Sequence, residues 1–287
     1  MTPITFPGLG LELNINPVAF NLFGKDIYWY GIIIACGFLL GLTMACKQAD
    51  QLGTNADRLT DVMLLVIPLG ILGARTYYVI FYRDLYLDAD GAFNWARAVA
   101  IWDGGLAIYG GIIAGLITAI IFCRIKKWDF WPMADAASYA LLIGQLMGRW
   151  GNFVNQEAYG GPCDALWRMG LIVRGEYMEV HPTFLYESLW NLLGLGILYF
   201  LIRPRRKFSG QLFLSYVIWY GLGRFWIEGM RTDSLYLFNT GIRVSQALAL
   251  VSAVVGILLM FCFLKRAEKK NSCEAKPVTE DAHSEEE

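Results

Sequence analysis

The sequence predicts an all-α, multi-pass integral membrane protein with about seven transmembrane helices, its N-terminus outside and its C-terminus in the cytoplasm. Three observations predict it: the composition, the length of the apolar runs, and the placement of Lys and Arg between them. Of 287 residues, 56% are hydrophobic and 17% charged, against about 45–50% and about 25% in ordinary soluble domains. Mean hydropathy is +0.43, and 10 Trp, 15 Tyr and 17 Phe are more than the single core of a soluble chain this long calls for. A helix that crosses the hydrocarbon layer needs about 20 mostly apolar residues, because each backbone polar group must find its partner within the segment.

Residues 1–27 come first and hold Pro3, Pro7 and Pro17, with no Lys or Arg before Lys25. They lack the basic start of a cleaved signal peptide and read as an extracytoplasmic N-terminal segment. Apolar stretches then fall near 28–46, 62–82, 106–123, 133–151, 184–202, 211–229 and 244–264. Alternate connections carry Lys47 and Arg58, then Arg124, Lys126 and Lys127, then Arg203, Arg205, Arg206 and Lys207, and finally five Lys and Arg after residue 264. The opposite set carries half as many cations over longer loops, so the basic set is cytoplasmic. Two outer loops are long, near 83–105 and 152–183, and long loops are more often functional than idle. Residues 265–287 turn from basic to acidic with few apolar side chains, which predicts a disordered cytoplasmic tail. No internal repeat is visible, which argues against a transporter built from inverted halves.

Composition excludes several classes. A net charge of −1 leaves no basic excess to neutralise the phosphates of nucleic acid. Six cysteines, at 36, 46, 123, 163, 262 and 273, form no CxxC pair, and most lie in apolar runs, where they read as small buried hydrophobes. The only histidines are His181 and His283, so neither a histidine-rich metal site nor zincin chemistry is expected.

Cations inside apolar spans cost energy and mark function by default. Three arginines sit there, Arg75, Arg149 and Arg224, each toward the predicted outer end and each with a glycine nearby. One such arginine reads equally well as an interfacial anchor or half of an ion pair. Three together suit planar recognition of a phosphate or carboxylate, and the abundant anions at that depth are lipid phosphates. Carboxylates accompany them: Glu228 four residues after Arg224, and Glu157, with Asn152 and Asn155, shortly after Arg149. Glu187 opens the fifth stretch, where it reads either as complement to the helix dipole or, if held near an arginine, as a proton acceptor or a group that orients a donor.

The run Gly148-Arg149-Trp150-Gly151-Asn152-Phe153-Val154-Asn155-Gln156-Glu157-Ala158-Tyr159-Gly160 resembles the signature of the prolipoprotein diacylglyceryl transferases. Further blocks resemble that family in the same order: Trp29-Tyr30-Gly31, Gly73-Ala74-Arg75, Trp102 through Leu106, His181-Pro182-Thr183 with Tyr186-Glu187, and Tyr220 through Arg224 with Glu228 and Arg231. The resemblance covers about residues 17 to 264. It implies transfer of the diacylglyceryl group of phosphatidylglycerol to the thiol of the lipobox cysteine in a prolipoprotein signal peptide. A thioether forms and glycerol phosphate leaves, the first step of bacterial lipoprotein maturation. It implies seven spans forming a catalytic domain over 28–264 in the bacterial cell membrane, with membrane lipid around it and the active site toward the outer face. Neither cofactor nor metal is implied.

Carried over from the family, Arg149 and Arg224 would contact the headgroup and stabilise charge growing on the leaving phosphate. Arg75, Asn152, Asn155 and Gly160 would help bind phosphatidylglycerol, with Gly160 allowing close approach to the lipid. Tyr30 matches a family tyrosine important for activity, and its plainer reading is an aromatic-belt residue beside Trp29. Glu157 and Glu228 would hold the arginines and asparagines or accept the thiol proton. The nucleophile belongs to the substrate, and a thiol of pKa about 8.5 needs activation at neutral pH.

Family members commonly read His-Gly-Gly where this chain reads Tyr109-Gly110-Gly111. A tyrosine hydroxyl, with an ordinary pKa of about 10, is a poor base unless arginines depress it. Either Tyr109 acts through a lowered pKa, or the position orients substrate and a glutamate takes the proton; the second is favoured. His181, in its own His-Pro-Thr block, reads as a loop-ordering residue, and His283 as part of the tail. Two other classes fit less well. An anion transporter predicts charges along the whole depth of the spans, and an intramembrane protease needs a Ser/His pair, HExxH or paired aspartates, whereas Asp135 stands alone in its stretch.

Overall fold

The computed structural model describes residues 3–88, 90–232, 236, 241 and 243–274. Its elements are β1 (Ile4–Phe6), β2 (Leu11–Leu13), β3 (Val18–Leu22), β4 (Lys25–Tyr28), α1 (Trp29–Leu52), α2 (Ala56–Phe81), α3 (Trp95–Val99), α4 (Ile108–Lys126), α5 (Phe130–Val154), β5 (Met169–Val173), β6 (Glu176–Val180), α6 (Thr183–Gly196), α7 (Gln211–Glu228) and α8 (Val244–Glu274). A π-helical segment, Ile197–Ile202, prolongs α6. Each of the seven apolar stretches falls on a helix. Among the described residues, five helices are long and apolar enough to cross a membrane: Trp29–Leu52, Ala56–Phe81, Ile108–Lys126, Thr183–Arg205 and Val244–Lys270. Their surfaces expose Leu39, Leu64, Ile112 and Leu258 among many large apolar side chains, a surface suited to lipid rather than water.

The fold is mostly helical, and "all-α" needs correction. β1 pairs antiparallel with β2 (Thr5 opposite Glu12) and with β5 (Thr5 opposite Gly170). β5 pairs with β6, giving a four-stranded sheet of order β2-β1-β5-β6. β3 and β4 form a separate hairpin. The physical reason is a long-range one. Ile4 and Phe6 alternate with Thr5 and bury their side chains with Met169, Leu171, Val180, Phe153 and Phe184, a pairing across about 160 residues that a three-residue strand cannot announce locally. α8 also continues to Glu274, past the predicted limit at 264. The rest of the predicted tail, with His283, lies outside the described residues.

The chain divides into two compact units, residues 1–41 with 137–287, and residues 42–136. In the second unit α2 and α4 pack tightly. A Cβ at Gly110 would lie 2.4 Å from the Gly73 carbonyl oxygen, so small residues let the backbones meet, as membrane helices require where apolar burial gives no preference over lipid. At the other end of this pair Val62, Cys123 and Met133 form a small core with Trp128 and Phe130.

In the first unit, α6 and α7 are joined by two indoles. Trp190 and Trp219 stack with ring centres 4.2 Å apart, and each Nε1–H donates to the other's backbone carbonyl at 3.0 Å. Each ring lies on a glycine of the opposite helix: a Cβ at Gly223 would stand 2.1 Å from Trp190 Nε1, and one at Gly194 2.3 Å from Trp219 Nε1. The clasp fixes the register of α6 against α7. Cys123 and Cys163 are buried as expected, whereas Cys36 and Cys262 are exposed on their helices, since a helix in lipid turns apolar side chains outward as well as inward.

Candidate active site

The end of α5 supplies Arg149, and the helix stops five residues later. Beyond it the backbone folds back, with Glu157 N–H donating to the Asn152 carbonyl at 3.0 Å. Gln156 and Ala158 sit in the left-handed region at φ 54° and 58°, a conformation that costs a non-glycine residue about 1–2 kcal/mol. The loop holds it through a bond from Thr183 Oγ1 to the Ala158 carbonyl. The turn makes a relay: Arg149 Nη1 donates to Asn152 Oδ1 at 3.2 Å, and Asn152 Nδ2 donates to Glu157 Oε1 at 2.8 Å. Tyr30 lies against Gly151, where a Cβ would meet its ring at 2.7 Å.

The other hand of Arg149 reaches α6, where Nη2 pairs with Glu187 Oε2 at 2.8 Å. From α7, Arg224 Nη1 meets Glu187 Oε1 at 3.2 Å and Nη2 meets Glu228 Oε2 at 2.6 Å. Arg231, just past α7, lies 3.7 Å from Glu187 and 4.0 Å from Glu228. Glu187 and Glu228 are 4% and 2% exposed. Three guanidinium groups thus share two buried carboxylates, and a fourth, that of Arg243, donates to the Glu228 backbone carbonyl. Burying charges is costly unless each finds partners, and paired arginines gathered at the edge of an apolar body can also receive an anion.

The loop around Gly160 is clamped by backbone. Gly160 N–H donates to the His181 carbonyl at 3.0 Å, His181 N–H to that of Gly161 at 3.0 Å, and Gly161 N–H to that of Met230 at 2.8 Å. The space beside Gly160 is filled, for a Cβ would meet His181 Cβ at 2.7 Å and the Met230 oxygen at 3.1 Å. This glycine therefore has a packing reason of its own, bringing the 152–183 loop against the segment that carries Arg231. His181 Nδ1 lies 3.2 Å from the Tyr186 hydroxyl, in keeping with loop ordering.

Of the residues the sequence singled out, Arg149, Asn152, Glu157, Arg224 and Glu228 form one connected network, Tyr30 and Gly160 border it, and Asn155 is exposed beside it. Arg75 and Tyr109 lie in the second unit. Arg75 spends all five N–H donors on backbone carbonyls, those of Arg97, Ala98, Ala100, Gly104 and Gly105, at 2.5–3.1 Å, and so shapes that loop. Tyr109 stands half-buried on the first turn of α4. The sequence left Glu187 with two readings and named Arg231 only within the last family block, yet Glu187 is the group that touches three arginines. It gave no account of the Trp190–Trp219 clasp, although Trp-x-x-x-Gly recurs at 190–194 and 219–223 and was there to be read.

The family model described as "Prolipoprotein diacylglyceryl transferase" matches residues 17–262. A protein of Bacillus velezensis named "Phosphatidylglycerol--prolipoprotein diacylglyceryl transferase" is 44% identical over 254 residues, covering 86% of this chain and 91% of its own. Proteins of the same name from Listeria monocytogenes and Clostridioides difficile are 45% identical over 251 residues and 41% identical over 260; the matches span 85% and 91% of this chain, and 88% and 100% of theirs.

Proposed function

Because the chain belongs to the prolipoprotein diacylglyceryl transferase family, we propose that the cluster of Arg149, Arg224 and their carboxylates is where it receives the phosphate of its lipid donor. The enzyme is a transferase that moves a diacylglyceryl group from phosphatidylglycerol to a prolipoprotein, the first step of lipoprotein maturation. It is a membrane protein of bacterial type. The observation that carries the site assignment is the meeting of arginines from two different helices on Glu187.

The acceptor is the cysteine thiol of a lipobox at the end of a signal peptide. Its sulfur attacks the glyceryl carbon that bears the phosphate ester; a C–S bond forms, the C–O bond breaks, and the electron pair goes to the phosphate oxygen. The donor phosphodiester carries one negative charge, and the departing monoester gains a second, since its second pKa is about 6. Arg149 and Arg224 meet that new charge in a water-poor setting, where such stabilisation is strongest. Asn152 holds Arg149, Asn155 and Tyr30 border the lipid, and Gly160, packed against His181 and Met230, sets the loop beside them. Arg75, whose donors are spent on residues 97–105, serves lipid binding through the loop it shapes.

The thiol proton goes to a glutamate. Glu228 is buried and ion-paired to Arg224 at 2.6 Å. Glu157 is exposed and engages Asn152 through one oxygen, so it is the better acceptor. In proteoliposomes containing labelled phosphatidylglycerol and a lipobox peptide, Glu157→Gln is expected to slow thioether formation by about 10²-fold or more, and Tyr109→Phe to leave it within about 3-fold. The reverse pattern would make Tyr109 the base and overturn this assignment.

The seven helices are read as spans with the N-terminus outside, residues 28–264 as the catalytic domain and the site as opening to the outer face. What supports this is the distribution of Lys and Arg over the connecting loops.

A further inference from the structure

We propose that Glu187 is a positioning residue of the transfer reaction, holding the guanidinium groups of Arg149, Arg224 and Arg231 around one point and limiting the positive charge they present. The inference rests on the placement of the donor phosphate among those arginines.

Three arginines from three stretches of chain would repel one another if brought together unaided. Glu187 is the carboxylate that contacts all three: Oε2 takes Arg149 at 2.8 Å, while Oε1 takes Arg224 at 3.2 Å and Arg231 at 3.7 Å. It sits four residues into α6, 4% exposed, three residues before Trp190, whose ring lies on Gly223 beside Arg224. The backbone clasp and the carboxylate therefore act at the same level of the helix pair. A helix-dipole role would need only a charge near the start of α6, and would not place its two oxygens on separate arginines.

The charge count gives a distinctive expectation. Glu187 supplies one of the negative charges set against the arginines. Replacing it with Gln raises the positive charge of the cluster by one while releasing the arginines from their fixed directions. Ground-state attraction for the anionic lipid is then kept or increased, and the alignment needed in the transition state is lost, so kcat and KM separate.

The test measures kcat and KM for phosphatidylglycerol in proteoliposomes, with rates normalised to folded, membrane-inserted protein, for Glu187→Gln and Glu187→Asp. Glu187→Gln is expected to lower kcat about 100-fold, the size of effect seen when one oriented donor is lost, with KM unchanged or lower. Glu187→Asp keeps the charge on a shorter arm and is expected to recover kcat at least about 10-fold over the Gln variant. The proposal is overturned if Glu187→Gln turns over normally, if KM rises instead of kcat falling, if the loss vanishes on normalisation, or if Asp is as slow as Gln. An Arg149→Ala control separates two failures. Normal transfer by that control removes the site assignment itself, whereas an inactive control beside a normal Glu187→Gln removes only the role of Glu187.

Discussion

Arg149→Ala and Arg224→Ala are each expected to lower diacylglyceryl transfer by at least about 10²–10³-fold while the protein still inserts into the membrane. Both arginines present two nitrogens to separate partners, Arg149 to Asn152 and Glu187, Arg224 to Glu187 and Glu228. That geometry needs a planar fork, so Arg149→Lys is not expected to restore more than a small part of the rate. Breaking a buried pair by removing one partner typically costs about 3–5 kcal/mol. Here Glu187 keeps two other arginines, which softens the loss and leaves a folded protein to assay. Because both side chains converge on Glu187, the double variant should fall little further than either single one. Transfer of a labelled diacylglyceryl group to a lipobox peptide, beside quantitation of membrane-inserted protein, checks this; near-normal transfer by both variants would remove the assignment.

Gly223→Ala is expected to destabilise the first unit by about 3 kcal/mol and to slow transfer about 10-fold or more. An added Cβ would lie 2.1 Å from Trp190 Nε1, and the indole cannot yield without giving up its bond to the Trp219 carbonyl. Overpacking of this kind costs about 1–3 kcal/mol, and each hydrogen bond lost adds about 1 kcal/mol. The effect on rate follows from position, since Arg224 is the next residue and the stack sets where it stands relative to Glu187. Thermal unfolding in detergent followed by circular dichroism, with the transfer assay alongside, measures both. An unchanged unfolding temperature with normal activity would show that the clasp does not set the register.

The apolar helices were legible because hydrocarbon imposes a simple rule on each segment by itself, about 20 apolar residues, and five of them among the described residues are long and apolar enough to cross a membrane. Arg149, Arg224 and Glu228 were legible for the same reason, as polar groups standing where lipid should exclude them, and Glu157 by its place in the run that follows Arg149. What a charge inside an apolar run does not reveal is its partner. Arg75 and Arg224 look alike in sequence, yet one is surrounded by five backbone carbonyls and the other by two carboxylates. Glu187 was ambiguous because its position at the start of a helix already has a sufficient local cause, and its second cause comes from residues 38 before it and 37 after it. The four-stranded sheet escaped notice on the same grounds: Ile4–Phe6 is too short for periodicity to register, and the strand that joins it to the rest of the sheet is the distant Met169–Val173. Short-range rules found the elements, while the site and the sheet are products of distant pairing.

The most direct measurement is competition by the leaving group itself. If the cluster stabilises the departing phosphate, free glycerol phosphate should inhibit the parental enzyme competitively against phosphatidylglycerol. Its inhibition constant should then rise about 10-fold or more in Arg149→Ala, as expected for loss of a charge-assisted contact of about 1.5–3 kcal/mol. An inhibition constant that is the same in both proteins would contradict a phosphate site at these arginines.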